Sequence, residues 1–223
     1  MNLEKYQQYS RIARGLEKAD LVLKDARIVN VFTEEIIRGD IAIQDGIIAG
    51  IGSFHGKEER DLAGRYVCPG FIDSHLHLES TLVTPAELVT VASRHGTTTF
   101  IVDPHESANV SGLAGVDYIL DQTENVKANV YVMMPSCVPA TSIDDNGCTL
   151  TAEDMAPYLH NSRILGLGEV MDSISVVQGE KSMHDKLELF EGRIRDGHAP
   201  FLEEGDLQAY AMAGIATDHE CSF

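Results

Sequence analysis

The sequence predicts an α/β protein: a TIM-type (β/α) barrel, incomplete at its C-terminal end, behind a small N-terminal β-sandwich. Three observations carry that expectation. Short runs rich in Val and Ile, split by turn pairs such as Lys24-Asp25 and Asp45-Gly46, fill residues 19–68, the pattern of a small sheet with tight hairpins. From residue 69 the rhythm becomes strand, loop, helix and repeats, which favours a parallel sheet with helical crossovers. No GxGxxG fingerprint or phosphate loop interrupts that cycle, so a closed barrel is preferred over an open nucleotide-binding sheet.

Taken in order, residues 1–18 form an N-terminal helix, because Tyr6, Tyr9, Ile12, Ala13 and Leu16 recur at three- and four-residue spacings. Strands follow at 21–23, 26–32, 36–37, 40–44 and 47–51, expected to pair antiparallel, with 60–67 as the last of this 19–68 domain. Asp45-Gly46 between two apolar runs is the clearest hairpin signal. The barrel domain, 69–223, covers about six of eight βα units. Its strands are expected at 67–72, 97–102, 129–134 and 164–168, and its helices at 85–95, 112–122, 151–159, 182–195 and 207–213. Thr84 is read as the N-cap of the first of these helices and Gly96 as its stop.

Composition narrows the function. Lys+Arg 17 against Asp+Glu 35 leaves a net charge of −18, which argues against nucleic acid or an anionic membrane as partner. Cys68, Cys137, Cys148 and Cys221 show no CxxC spacing; they are read as small core residues, and a reduced, cytoplasmic setting fits. The N-terminus lacks the apolar stretch of a signal peptide, and no run reaches the ~18 apolar residues of a membrane span.

The chemistry collects where a barrel needs it, at the carboxyl ends of the strands. The first ends in Asp73-Ser74-His75-Leu76-His77, the second in Asp103-Pro104-His105-Glu106 and the fourth in Gly168-Glu169. The fifth and sixth units carry Asp196-Gly197-His198 and Asp218-His219-Glu220. In an extended strand His75 and His77 point to one face. Two imidazoles on one face can share a metal, although a lone His-x-His pair is a weak signal. His55, His160 and His184 are read as surface residues.

The chain resembles the adenine deaminases of the amidohydrolase superfamily, specifically the N-terminal portion of their chain. The resemblance rests on Pro69 to Ser80, His95-Gly96-Thr97-Thr98-Thr99, Asp103-Pro104-His105-Glu106 and Pro135-Ser136-Cys137-Val138-Pro139-Ala140. It continues through Gly166-Leu167-Gly168-Glu169-Val170-Met171, Asp196 to Pro200 and Asp218-His219-Glu220. It implies two divalent ions, Mn²⁺ or Fe²⁺ with Zn²⁺ also suited: His75 and His77 hold one, His198 and His219 the other, and Glu169 bridges them. It also implies hydrolytic deamination of adenine to hypoxanthine and ammonia by a metal-bound hydroxide, in purine salvage, by a homo-oligomer.

Other roles stay open at this level. Asp103 is a proton handler or an N-cap. Glu220 protonates the departing ammonia, contacts the ring, or is a solvated acid. Glu79 and Ser80 line the purine pocket, and His105 and Glu106 orient a ligand from behind or are polar loop residues. Residues 69–223 make a shorter stretch than the ~250 of a complete barrel, and no position matches the superfamily's strand-eight aspartate. The alternatives are therefore a different cyclic amidine or amide as substrate, or a catalytically incompetent metal-binding fragment.

Overall fold

The computed structural model of the chain describes residues 1–220 and resolves two compact units, Met1–Pro69 and Gly70–Phe223. In the first, α1 (Leu3–Ala13) starts at Asn2, whose side chain accepts the Lys5 N–H, as an N-cap should. Strands β1 (Ala19–Asn30), β2 (Glu35–Gln44), β3 (Ile47–Gly52), β4 (Gly56–Asp61) and β5 (Tyr66–Val67) build one five-stranded sheet ordered β3-β2-β1-β4, with β5 also on β1. Ile12 of α1 is fully buried with Ala19, Val22, Ala42 and Phe54, while Ala26, Ile28 and Ile41 form a second apolar cluster.

Three details differ from expectation. Strands β4 and β5 run parallel to β1, so the sheet is mixed, with only β1–β2 and β2–β3 antiparallel. The stretch 60–67 is two strands, separated by a turn where Ala63 and Gly64 take positive φ. Lys24-Asp25 is no turn but a bulge inside β1, where the register to β2 shifts between Leu23 and Ala26. Among the described residues this unit holds a single sheet.

The bulge lets Lys24 reach Asp40, a carboxylate only 8% exposed. Asp40 pairs with the Lys24 ammonium and accepts the Asp25 and Phe54 N–H groups at 3.1 Å each. Burial opposes its ionisation, but the Lys24 ammonium and the two N–H groups outweigh it and hold the carboxyl below its ordinary range. A depressed folded value means that the stabilisation is present above the unfolded value, about 3.9, and is lost as pH falls through the folded one. Asp40→Ala strands a half-buried cation and two N–H groups, and is expected to cost about 3 kcal/mol at neutral pH. Hydrogen exchange of the β1–β2 amides reads the loss, which should shrink toward pH 3.

The second unit alternates strand and helix: β6 (Phe71–Leu76), α2 (Pro85–Ser93), β7 (Thr97–Val102), α3 (His105–Ser111), α4 (Leu113–Gln122), β8 (Asn129–Met134), α5 (Ala152–Met155), β9 (Ile164–Val170), α6 (Ser173–Gln178), α7 (Lys181–Leu189), β10 (Ile194–Gly197), α8 (Glu204–Met212) and β11 (Thr217–Asp218). The six strands are parallel and lie in chain order. His75 at the end of β6 stacks on His219 beyond β11, ring centroids 3.6 Å apart. Since β6 and β11 are the outermost strands, the sheet must curl to bring them together. It is a partial TIM-like barrel. On β7, Phe100 and Val102 point to the helix side and are buried with Val89, Val116 and Ile119. That period-two alternation leaves the ends of the strands free to present polar groups.

Here too the helix boundaries shift. Residues 182–195 are not one helix: α7 stops at Leu189, a turn with Gly192 at φ +78 follows, and Ile194 and Arg195 pair with Gly166 and Leu167 of β9. The first barrel strand runs 71–76 rather than 67–72. Thr84 precedes α2 in extended conformation without a side-chain cap bond; Pro85, preorganised for the first turn, starts the helix. Helices α3 and α6 occupy stretches that carried no expected helix. Among the cysteines, Cys137 is buried, Cys148 half-buried and Cys68 exposed, so Cys68 is no core residue, while Cys221 lies outside the described residues. His184 is half-buried, its Nε2 3.0 Å from the Val176 carbonyl, whereas His55 and His160 are exposed. No described helix is long and apolar enough to cross a membrane.

Candidate metal centre

Glu169 is the penultimate residue of β9 and one of the few buried carboxylates, 4% exposed. Four imidazoles from three other strand ends face it. His75 Nε2 and His77 Nε2 stand 2.6 Å and 2.9 Å from Oε1, and His219 Nε2 stands 3.6 Å from the same oxygen. His198, just past β10, places Nδ1 3.5 Å from Oε2. Strand spacing explains the convergence: neighbouring strands lie ~4.8 Å apart, so side chains leaving successive strand ends of a curled sheet meet above its middle.

Despite these short distances Glu169 Oε1 makes no hydrogen bond, and neither does His198 Nδ1. The nitrogens approach the oxygen without aligning an N–H on it. They surround a common space instead. A buried carboxylate oxygen left in that state is costly without a partner, and a cation would supply one. His77 is set for the purpose, since its Nδ1 lies 2.8 Å from the Asp103 carbonyl; donation there fixes the tautomer that leaves Nε2 a lone pair toward Glu169.

Charge agrees with geometry. Burial opposes ionisation of Glu169, yet the adjacent His75 and His77 outweigh it and hold the carboxyl far below the usual range. Asp196 and then Glu169 push His75 up to about 10, and Glu169 pushes His77 up to about 9, each against burial. Without an ion the cluster balances its buried anions with protons on imidazole. Four overlapping donor sets occur among the described residues: His75/His77/Glu169, Glu169/His198/His219, His75/Asp196/His219 and Asp103/His105/Glu169.

Residues 66–223 match the model for the amidohydrolase family. The chain belongs to the amidohydrolase family. It is 58% identical over 221 residues to an adenine deaminase of Desulfitobacterium hafniense (strain Y51), covering 99% of this chain and 39% of that protein. An adenine deaminase of Clostridium acetobutylicum is 50% identical over 212 residues, 94% of this chain and 37% of that protein. This amidohydrolase chain thus spans under two-fifths of the length of those relatives. Among solved structures its fold resembles an N-acyl-D-glutamate deacylase from Bordetella bronchiseptica complexed with zinc (TM-score 0.59, 18% identity, 90% of this chain and 51% of that one). A 5-methylcytosine deaminase from Klebsiella pneumoniae is similar (TM-score 0.56, 15% identity, 89% and 58%).

The remaining candidates of this amidohydrolase sit in an outer layer. Asp103, 2% exposed, caps no helix: Pro104 precedes α3, and both Asp103 carboxylate oxygens are buried without a hydrogen bond. Gly168 makes room for it, because a Cβ there would lie 2.0 Å from Asp103 Oδ2. His105 opens α3 rather than a loop, with Nδ1 3.6 Å from Asp103 Oδ1 and its ring edge-on to His77. Glu79 Oε1 accepts the Ser107 N–H at 3.2 Å, and burial pushes its carboxyl up. Ser80 donates to Glu106. Glu220 is exposed beside His219, its N–H on Asp218 Oδ1.

The sequence motifs include Asp196 and Ser136 without giving either a role, and they miss Tyr210. Asp196 stands two residues before His198 at a strand end, a spacing that puts both on one face and was the available signal. Ser136 Oγ donates to the Glu169 carbonyl at 2.5 Å, and Lys186 Nζ donates to the Ser136 carbonyl at 2.6 Å. Tyr210 donates to the Val170 carbonyl and accepts the His198 N–H, clamping β9 to β10. No local pattern announces a tyrosine that acts from a helix.

Proposed function

We propose that this chain carries a binuclear metal centre held by His75, His77, Glu169, His198 and His219, and that it deaminates adenine hydrolytically. The observation that carries the reading is the unbonded, buried Glu169 Oε1 with three imidazole Nε2 atoms turned toward it. Four imidazoles and a carboxylate fit Mn²⁺, Fe²⁺ or Zn²⁺. Two such ions would lower the pKa of a shared water toward neutrality. Adenine as substrate is supported by the names of the relatives. Water adds at the ring carbon bearing the amino group, the carbon–nitrogen bond breaks, and ammonia and hypoxanthine result.

The chain's own residues have distinct tasks. Glu169 would bridge the two ions, having one oxygen toward His75 and His77 and the other toward His198. The Asp103 carbonyl orients His77, and the buried Asp103 carboxylate, without a hydrogen bond, is placed to accept a proton. Glu220, exposed at the rim, is the candidate to return one to the departing nitrogen. Glu79, Ser80, His105 and Glu106 form the wall around β6 and α3, where the first two would meet the purine. The setting this implies is purine salvage in the cytoplasm by a homo-oligomer, with the first unit part of a small β-sandwich.

The test is to purify the chain with Mn²⁺ and follow adenine loss and ammonia release together. Turnover of adenine is expected. Bound metal without turnover would favour a metal-binding chain that does not complete the reaction. Turnover of another cyclic amidine or amide but not of adenine would overturn the substrate.

A further inference from the structure

One carboxylate serves both halves of the cluster from behind. His75, at the end of β6, and His219, beyond β11, stack 3.6 Å apart with planes 22° from parallel. Both rings span the same two anions in the same sense. Their Nε2 atoms face Glu169 Oε1, at 2.6 Å and 3.6 Å, and their Nδ1 atoms face Asp196 Oδ2, at 3.3 Å and 3.5 Å.

Asp196 is itself fixed. Its other oxygen, Oδ1, accepts the Thr217 hydroxyl at 2.7 Å and the Gly197 N–H at 3.1 Å, so Oδ2 is left for the imidazoles. The side chain is 14% exposed. An anion facing two Nδ1 atoms keeps the proton on each of them. Each Nε2 then keeps its lone pair on the Glu169 side, where a ligand needs it.

We propose that Asp196 is a positioning residue that sets the tautomer and ring orientation of one ligand in each metal position, and so couples the two positions through a single side chain. The inference rests on the binuclear reading above. It goes beyond it in assigning to one residue, on β10, control over ligands carried by the two edge strands of the sheet.

The experiment is a titration of the metal-free chain with Mn²⁺ against a competing chelator, for the native chain, Asp196→Asn and Thr217→Val, alongside thermal melting of each metal-free protein. An amide keeps the volume but removes the charge that holds both protons. Asp196→Asn is expected to weaken both ions, each by roughly 10- to 100-fold, the range for losing a group behind a metal ligand. Thr217→Val leaves the carboxylate charged but releases Oδ1, so a smaller loss at both positions is expected. The melting curves serve to show that each metal-free variant is folded and cooperative at the titration temperature, so that lost affinity is read from folded chains; rescue of affinity by the charge-keeping Thr217→Val relative to Asp196→Asn is what a purely structural role would not give.

Unchanged Mn²⁺ affinity in Asp196→Asn overturns the proposal, and so does weakening of one ion with the other unaffected. Anomalous scattering from Mn²⁺ in bonding contact with Asp196 Oδ2 also overturns it, since Asp196 would then be a ligand. A native chain that binds no Mn²⁺ brings down the binuclear reading and this inference with it, whereas native binding indifferent to Asp196 removes this inference alone.

Discussion

Glu169→Gln is expected to abolish tight binding at both metal positions, with Mn²⁺ affinity falling on the order of 100-fold or more, because a direct ligand contributes at least as much as a group behind one. The substitution is nearly isosteric, so packing around β9 is preserved and the effect isolates charge. Two consequences should appear together. Metal content measured by elemental analysis should drop, since the oxygens proposed to bridge the two ions are altered. His77 also loses the anion that chiefly raises its proton affinity, and His75 the second of its two, so in NMR titrations of the metal-free chain His77 moves down toward ordinary imidazole values while His75, still facing Asp196, moves less. A variant that retains its full metal complement would remove Glu169 from the ligand set.

The second large effect is on the framework. Phe100, 1% exposed at the centre of β7, packs with Val89, Val116 and Ile119 in the main core. Phe100→Ala is expected to cost about 3–5 kcal/mol, the sum of lost burial and the cavity left behind. For a unit of this size that lowers the melting temperature by about 10 °C. The loss has a functional reading too, because Phe100 lies on the strand that leads into Asp103, whose carbonyl orients His77. Melting by far-UV circular dichroism measures it; a shift of only a degree or two would mean that the β7 core tolerates a cavity, contrary to the close packing described.

Much of the site was legible in the sequence. Side-chain alternation alone places His75 and His77 on one face, and strand–helix alternation places Glu169, His198 and His219 at strand ends. Other features were hidden for physical reasons. Met183, Leu187, Phe190 and Ile194 keep a helical period, so the stretch 182–195 reads as one helix. The structure breaks it at Gly192 because pairing of Ile194 and Arg195 with β9 satisfies backbone groups that a continued helix would have bonded internally. Periodicity also carries no strand direction, which is why β4 and β5 running parallel to β1 could not be foreseen.

What the sequence by itself determined is therefore a set of donors and their facing: two imidazoles one residue apart, a carboxylate ending a buried strand, and two more histidines in similar settings. Only the tertiary structure decided that they meet. His75 touches His219 because the sheet curls until its outermost strands converge; Asp196 has His219 beside it through the pairing of β10 with β11, but gains His75 only from that curl. Alternation is a property of each strand, but curvature is a property of the whole sheet, set by its twist and by the helices packed on it.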